Sequence, residues 1–403
     1  MGSNTKQIWI ERLGLMYRPV PRWLHVLAIV TVIHTTLLLI LGAFVTSFHA
    51  GMADPVWPTE PWYLYNNYKL DFGYQVEHFH RILGWMLSLP GLVLAFGAWA
   101  YEPRKGVRRL GIAATLGMAL TFGVFHDVMR RATQGEEGFA VYANIVAMLI
   151  TMIGVLFAAG QAARGGGTGG LVRALVSIGM IVGMIQGLLG GLRVRLNALV
   201  GTDLALIHGV NAQIVFGLLL AVAVLTARSK SEPAMPNAIA RKLNWQTLSL
   251  VLFTFLQVCW GAWIRHSPGP MANRLHLLFA FVVVGFATLV IKQALADPIA
   301  RERLKLVSRI LMGLITLQVV LGIEAWLGKF LTASLPELEK ITVGKAIIRS
   351  AHAHIGTWVL GMSVIFALVS RRKPGADVGP PDAPSVDWIE TPRYASNGIG
   401  TPS

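Results

Sequence analysis

Cysteine is almost missing from this chain: Cys259 stands alone among 403 residues. It therefore has no internal disulfide framework, and without a CxxCH pattern a covalently attached c-type haem is not supported. Charge is scarce too. Charged residues make up 14% of the chain, where a soluble domain carries about a quarter. Acidic residues are the rarer sign, 20 against 35 Lys and Arg, which leaves a formal charge of +15. What fills the chain instead is apolar: 54% of residues are hydrophobic and the mean hydropathy is +0.58. Such a composition, with recurring long apolar runs, reads as a polytopic helical membrane protein.

The excess positive charge does not suggest nucleic acid, because it clusters in short connections between the runs. Ten spans are expected, at roughly 23–47, 77–100, 107–126, 139–161, 171–193, 203–227, 245–265, 273–297, 305–328 and 345–370. Arg104, Lys105, Arg108 and Arg109 lie in one connection, Arg164 and Arg173 flank another, and Arg228, Lys230, Arg241 and Lys242 another. Arg301, Arg303, Lys305 and Arg309 follow, then Arg371, Arg372 and Lys373. The intervening connections carry fewer cations or mixed signs, as in Arg130, Arg131, Glu136 and Glu137. An even number of spans with both termini in the cytoplasm satisfies the positive-inside rule throughout. The first span, preceded by Lys6, Arg12, Arg18 and Arg22, is too long for a signal-peptide core and reads as retained.

Between the spans, the first outer connection (48–75) holds Trp57, Trp62, Tyr63, Tyr65 and Tyr68, which suit an interfacial cap or an ordinary aromatic belt. Glycines at 165–170 predict a flexible connector. They lack the lysine of a phosphate loop. The segment 1–22 reads as cytoplasmic, and the Pro-, Gly- and Ser-rich tail 373–403 as disordered.

The densest chemistry is Glu77-His78-Phe79-His80-Arg81, which runs directly into an apolar segment. Ionisable groups in a membrane helix are costly and are read first as functional. The chain has eleven histidines, and four share one context. His80, His208, His276 and His352 each lie one or two turns into a span entered from the outer side, with Gly84, Ala212, Ala280 and Gly356 four positions on. On a helix these neighbours lie on one face, so a small residue one turn deeper leaves flat space beneath the imidazole. A porphyrin ligated by that ring needs such space. One match of this kind is common in membrane helices; four on alternate spans at one depth favour a buried planar metal cofactor over core histidines. His78 and His354 lie about 200° around the helix from His80 and His352 and face elsewhere. Zinc fits less well, with four ligands on four helices and no Cys or carboxylate at metal-site spacing.

A second repeat precedes the first. Gln186-xxx-Gly190, Gln257-xxx-Gly261 and Gln318-xxx-Gly322 come one helix before His208, His276 and His352, and Leu41-Gly42-Ala43 holds the matching place before His80. The chain thus reads as four hairpins delivering one histidine each, enough for two bis-histidine sites held between facing helices. Arg81, Arg193 and Arg265 stand at the outer ends, as partners for haem propionates or as interfacial anchors. Glu77 is three positions before His80 and shares its face, so a carboxyl there can reach a porphyrin edge and handle protons or position water.

At these residues the chain resembles the haem A synthase family of membrane proteins. The match lies in Glu77-His78-Phe79-His80-Arg81, the stretch QGLLGGLRV at 186–194, the later histidines of the paired spans, and Gly51-Met52-Ala53-Asp54-Pro55-Val56-Trp57-Pro58. In the last of these the order of Asp and Val departs from the usual. The family has eight spans in two similar four-helix halves. The resemblance implies an all-α transmembrane bundle with such halves at 23–227 and 228–372, and an inserted hairpin near 107–161. It implies His80 and His208 as ligands of a substrate haem O, and His276 and His352 as ligands of a resident haem b. It implies oxidation of a porphyrin methyl to a formyl group, giving haem A for terminal oxidases, with Glu77 as the residue needed beside the substrate. Haem O synthase, a terminal oxidase or an electron donor would be partners, and a bacterial cytoplasmic membrane the location. Some members carry a cysteine pair in the first outer loop; this chain has none, so a thiol step there is excluded. The rival readings are a di-haem b-type electron-transfer cytochrome and a transporter with incidental histidines.

Overall fold

The computed structural model of the protein describes residues 20–54, 56, 71–132, 138–227, 237–267, 269–330 and 342–371. The aromatic residues Trp57, Trp62, Tyr63, Tyr65 and Tyr68, the pair Glu136 and Glu137, and the tail from Pro374 lie outside these segments. The described residues form ten long α-helices: α1 (Arg22–Ser47), α2 (Phe72–Ala100), α3 (Lys105–Ala132), α4 (Gly138–Arg164), α5 (Gly167–Val200), α6 (Asp203–Thr226), α7 (Asn237–His266), α8 (Pro270–Ala296), α9 (Pro298–Phe330) and α10 (Val343–Arg371). Each is long and apolar enough to cross a membrane. The chain is an integral membrane helical bundle.

The helices outrun the apolar windows that announce them. α5 has 34 residues and α9 has 33, about 50 Å at 1.5 Å per residue, against a hydrocarbon core of about 30 Å. A helix satisfies its own backbone and need not stop where the lipid does. Its outward faces are apolar: Phe281 is 71% exposed, Leu89 68% and Leu278 65%, as expected of surfaces facing lipid. Several inward hydroxyls are satisfied within their own helix. Thr35 bonds the carbonyl of Thr31 at 2.8 Å, Thr254 that of Leu250 at 2.9 Å, and Ser363 that of Val359 at 2.8 Å, so burying them leaves no orphaned donor.

Two closed rings of four helices organise the bundle. In one, α1 packs on α2, α2 on α5, α5 on α6 and α6 on α1. In the other, α7, α8, α9 and α10 close in the same way. The first ring has a core of Leu24, Leu94, Val176, Phe216 and Leu220, and the second of Leu250, Val290, Leu304, Leu311 and Phe366. The rings meet where α10 lies against α1 and α6, and α6 against α7. There Phe216 stacks edge-on to Trp358 with centroids 5.3 Å apart, and Ser47 bonds Ser350 at 2.9 Å. A Cβ on Gly361 would stand 2.9 Å from Phe216, so the helices can come this close only with glycine there.

The hairpin α3–α4 lies outside both rings, against α2 and α5. Small residues seat it. Trp99, 1% exposed, packs over Gly111 with Ala158 and Ala162. Its two chain ends are tied together by one carboxylate. Glu102, also 1% exposed, takes Arg104 Nε at 2.6 Å and Arg173 Nη1 at 3.1 Å. Arg173 further donates to the carbonyls of Ala98 at 3.1 Å and Tyr101 at 2.7 Å.

The expected flexible connector at 165–170 is shorter than its glycines suggest. Only Gly165 and Gly166 interrupt the helices, with Gly166 at φ +72°, and α5 begins at Gly167. A Cβ on Gly170 would meet the carbonyl oxygen of Ala162 at 2.4 Å. The glycine there serves the close approach of α4 and α5 rather than flexibility.

The Glu102 ties are testable. Replacing a buried ion-pair partner strands the other charge, a loss of about 3 kcal/mol or more. Glu102→Ala should lower the thermal midpoint of the detergent-purified protein by several degrees, whereas Asp127→Ala, at a half-exposed carboxylate, should not.

Candidate functional site

The helices α2, α6, α8 and α10 each present one histidine in their first third. The rings bring these histidines together in pairs. His80 and His208 face each other across the first ring with centroids 6.5 Å apart and planes at 75°. His276 and His352 do so across the second at 6.1 Å and 77°. The histidines not expected to take part are turned aside. His78 is buried and stacks on Tyr74 at 5.2 Å, and His354 Nε2 accepts the indole N–H of Trp358 at 3.2 Å.

Each imidazole rests on a glycine of the preceding ring helix. A Cβ would stand 3.0 Å from His80 Cε1 at Gly42, 3.1 Å from His208 Cε1 at Gly190, 3.2 Å from His276 Cε1 at Gly261, and 2.9 Å from His352 Cε1 at Gly322. Any larger residue would push the ring away. A second contact comes from the residue four positions before each glycine. His80 Nδ1 lies 3.1 Å from the carbonyl of Leu38, and His352 Nδ1 3.2 Å from that of Gln318. A backbone carbonyl at Nδ1 fixes the tautomer with the proton there and leaves Nε2 as an acceptor. Glutamine side chains occupy the same places in three of the four hairpins. Gln186 Nε2 is 3.2 Å from His208 Nε2, Gln318 Nε2 is 3.3 Å from His352 Nε2, and Gln257 Nε2 is 3.2 Å from His276 Nδ1. Asn211, which donates to Gln186 Oε1 at 2.8 Å, orients the first of these amides.

These pairs have the spacing of a two-imidazole metal site. Metal–nitrogen bonds of about 2 Å on each side, plus about 1 Å from ring nitrogen to ring centre, set two centroids about 6 Å apart. The space expected one turn below the histidines is present at Gly84, where nothing lies within 4 Å of an added Cβ. At Gly356 the Gln318 amide lies 3.0 Å away and fills it. Among the described residues no three His, Cys, Asp or Glu side chains converge as a bare metal site. Each pair offers two imidazoles and no third side-chain donor of these types among the described residues.

The charged residues gather mainly at the first pair. Glu77, 4% exposed, has both oxygens engaged: Oε2 accepts the Asp54 backbone N–H at 2.9 Å and Oε1 accepts Arg81 Nη2 at 2.8 Å. Arg81 also donates to the carbonyls of Asp54 and Val56, at 2.5 and 2.8 Å. Arg193 lies against Gly51, where a Cβ would stand 1.7 Å from Nη2. Arg265, expected with these as a propionate partner or an interfacial anchor, links the rings, donating to the Ala43 carbonyl at 2.9 Å and Ser47 Oγ at 3.1 Å.

Sequence reasoning did not foresee the work of Gly42, Gly190, Gly261 and Gly322, though the repeated Gln-xxx-Gly spacing marked three of them. It gave Asp54 no role, because nothing in a loop sequence says that a carboxylate will be buried.

Glycine contacts make a sharp prediction. Gly322→Ala and Gly190→Ala should each destabilise the protein by about 1–3 kcal/mol through overpacking against an imidazole. Gly217→Ala on α6, where an added Cβ meets nothing within 4 Å, should be neutral or stabilising by up to about 1 kcal/mol through helix propensity. Thermal unfolding of the three variants decides it. Compared with models of known protein families and with curated proteins, the chain matches none.

Proposed function

We propose that the chain is a haem A synthase-like membrane oxidoreductase that binds two haems and oxidises a methyl group of haem O to the formyl group of haem A. The observation that carries this reading is the pair of imidazole pairs, at 6.5 and 6.1 Å, each inside a four-helix ring and each ring resting on glycine. His80 and His208 would hold the substrate haem O, and His276 and His352 a resident haem b. The iron supplies the redox chemistry when bound. Conversion of a methyl to a formyl group removes four electrons and adds one oxygen atom, so dioxygen or another electron acceptor must take part. The protein's share is placement. Glycine contacts hold the imidazoles in register, and Nδ1–carbonyl bonds at His80 and His352 leave Nε2 as an acceptor, which at His352 meets the Gln318 amide.

The two pairs are not equivalent, which suits one substrate site and one resident site. Three positions before the histidine stand Glu77 in the first hairpin, Ala205 in the second, Asn273 in the third and Arg349 in the fourth. Only the first pair has a carboxylate at this place. The bundle would sit in the cytoplasmic membrane with both termini inside, as the distribution of Lys and Arg supports.

A di-haem electron-transfer cytochrome is the second reading. It is favoured by one observation: both Glu77 oxygens are already occupied by Asp54 and Arg81, which a carrier with no working carboxylate would tolerate. Haem extracted from the purified protein, made in cells supplied with haem O, separates the two. Haem A or its hydroxylated precursor is expected; haem B alone would make the protein a carrier, and no Soret absorbance would end both readings. His276→Ala should lose about half of the haem while keeping the first site's absorbance, as expected of sites with separate ligand pairs.

A further inference from the structure

The segment that follows α1 is tied to the first histidine pair through its backbone. Residues 51–54 and Val56 present an N–H and two carbonyls to side chains of α2: Glu77 accepts the Asp54 N–H, and Arg81 donates to the carbonyls of Asp54 and Val56. Asp54 adds its carboxylate, with Oδ2 at 3.5 Å from Arg81 Nη1. Oδ1 accepts the N–H of Val56 at 3.1 Å, which folds the segment back on itself. From the other side of the ring, Arg193 of α5 presses on Gly51, and Glu77 is the opposite charge that acts on it. The segment is therefore clamped between α2 and α5. Arg81 directly follows His80, and Arg193 lies three residues after Gly190, on which His208 rests, so the clamp stands beside the imidazole pair.

The charges within the clamp balance. Asp54 and Glu77 offset Arg81 and Arg193, so the cluster is complete without a ligand's carboxylates. A buried ionic cluster of this kind is costly to assemble and is retained where it fixes one arrangement. Among the described residues the second pair shows no such cluster: Arg265 donates to a carbonyl and a hydroxyl.

We propose that Glu77 is a positioning residue: with Asp54, Arg81 and Arg193 it latches Gly51, Asp54 and Val56 beside the His80/His208 pair and closes that end of the first haem site to water. This rests on the haem-oxidising reading of the site and gives Glu77 a role there other than proton transfer. The closure serves the site whose porphyrin must be exchanged. Gly51 belongs to the same device, because a methyl group there would displace the Arg193 guanidinium.

The test uses the full chain in a Cys259→Ser background with Ala50→Cys as a reporter. Ala50 is 6% exposed at the base of the segment, so a thiol there reacts slowly with a membrane-impermeant maleimide while the latch holds. Glu77→Gln, Gly51→Ala and Arg193→Gln should each raise the labelling rate tenfold or more. Gly51→Ala carries no proton and no ligand, yet it should lose haem O conversion as far as Glu77→Gln does, with Soret absorbance kept by both. Unchanged labelling in these variants overturns the latch. So does loss of conversion in Glu77→Gln alone with Gly51→Ala fully active, the pattern of a proton-handling carboxyl. Labelling reads the latch even if the unsubstituted chain binds no haem, so failure of the haem reading and failure of the latch are told apart.

Discussion

An imidazole resting through Cε1 on a glycine of a neighbouring helix is the contact on which this architecture depends. It is possible only where that helix has no side chain, and the chain meets the condition four times, at Gly42, Gly190, Gly261 and Gly322. Without the Cβ, the ring comes close enough for Nδ1 to reach a main-chain carbonyl, as at Leu38 and Gln318. That bond fixes the rotation of the ring and leaves Nε2 as an acceptor. Membrane helices cannot rely on the hydrophobic effect to pack, since lipid is as apolar as leucine, and close approach at small residues takes its place. Here one device both packs the hairpins and aims the donors.

The rings share more than a surface. Arg265 of α7 reaches across to the Ala43 carbonyl and Ser47 on α1, and Ser47 in turn bonds Ser350 of α10. Ala43 and Ser47 follow Gly42, the glycine under His80, and Ser350 precedes His352 by two residues. A shift of α10 that moved one imidazole would be felt by the helix that supports another. These polar contacts between halves lie near the histidines, while the apolar pair Phe216 and Trp358 fills the interface deeper down.

Much of this was legible in the sequence, and the reasons differ by feature. The ten helices and their bounds, such as 23–47 against Arg22–Ser47, follow from the length of apolar runs that lipid demands. The four histidines stood out because their spacing to small residues repeats, and the pairs join residues 128 and 76 positions apart in sequence (208 minus 80, 352 minus 276). What could not be read was contact between elements. Gly170 looked like part of a linker and proved to be a point of helix contact. Arg81 and Arg193 read as propionate partners or interfacial anchors, because the residues they meet fold back from 25 or more positions away (81 minus 56). Composition reports what surrounds a helix; it does not report which loop returns to it.

The hairpin α3–α4 leaves and rejoins the first ring at neighbouring points, gathered by Glu102 between Arg104 and Arg173. Two crossings bring the chain back to the side it left. Everything downstream, from α5 to α10, keeps the sidedness it would have had if α2 had continued directly into α5. A pair of helices can thus be spliced into such a protein, or lost from it, without inverting the remainder. A single added helix would turn every later donor to the wrong side of the bilayer.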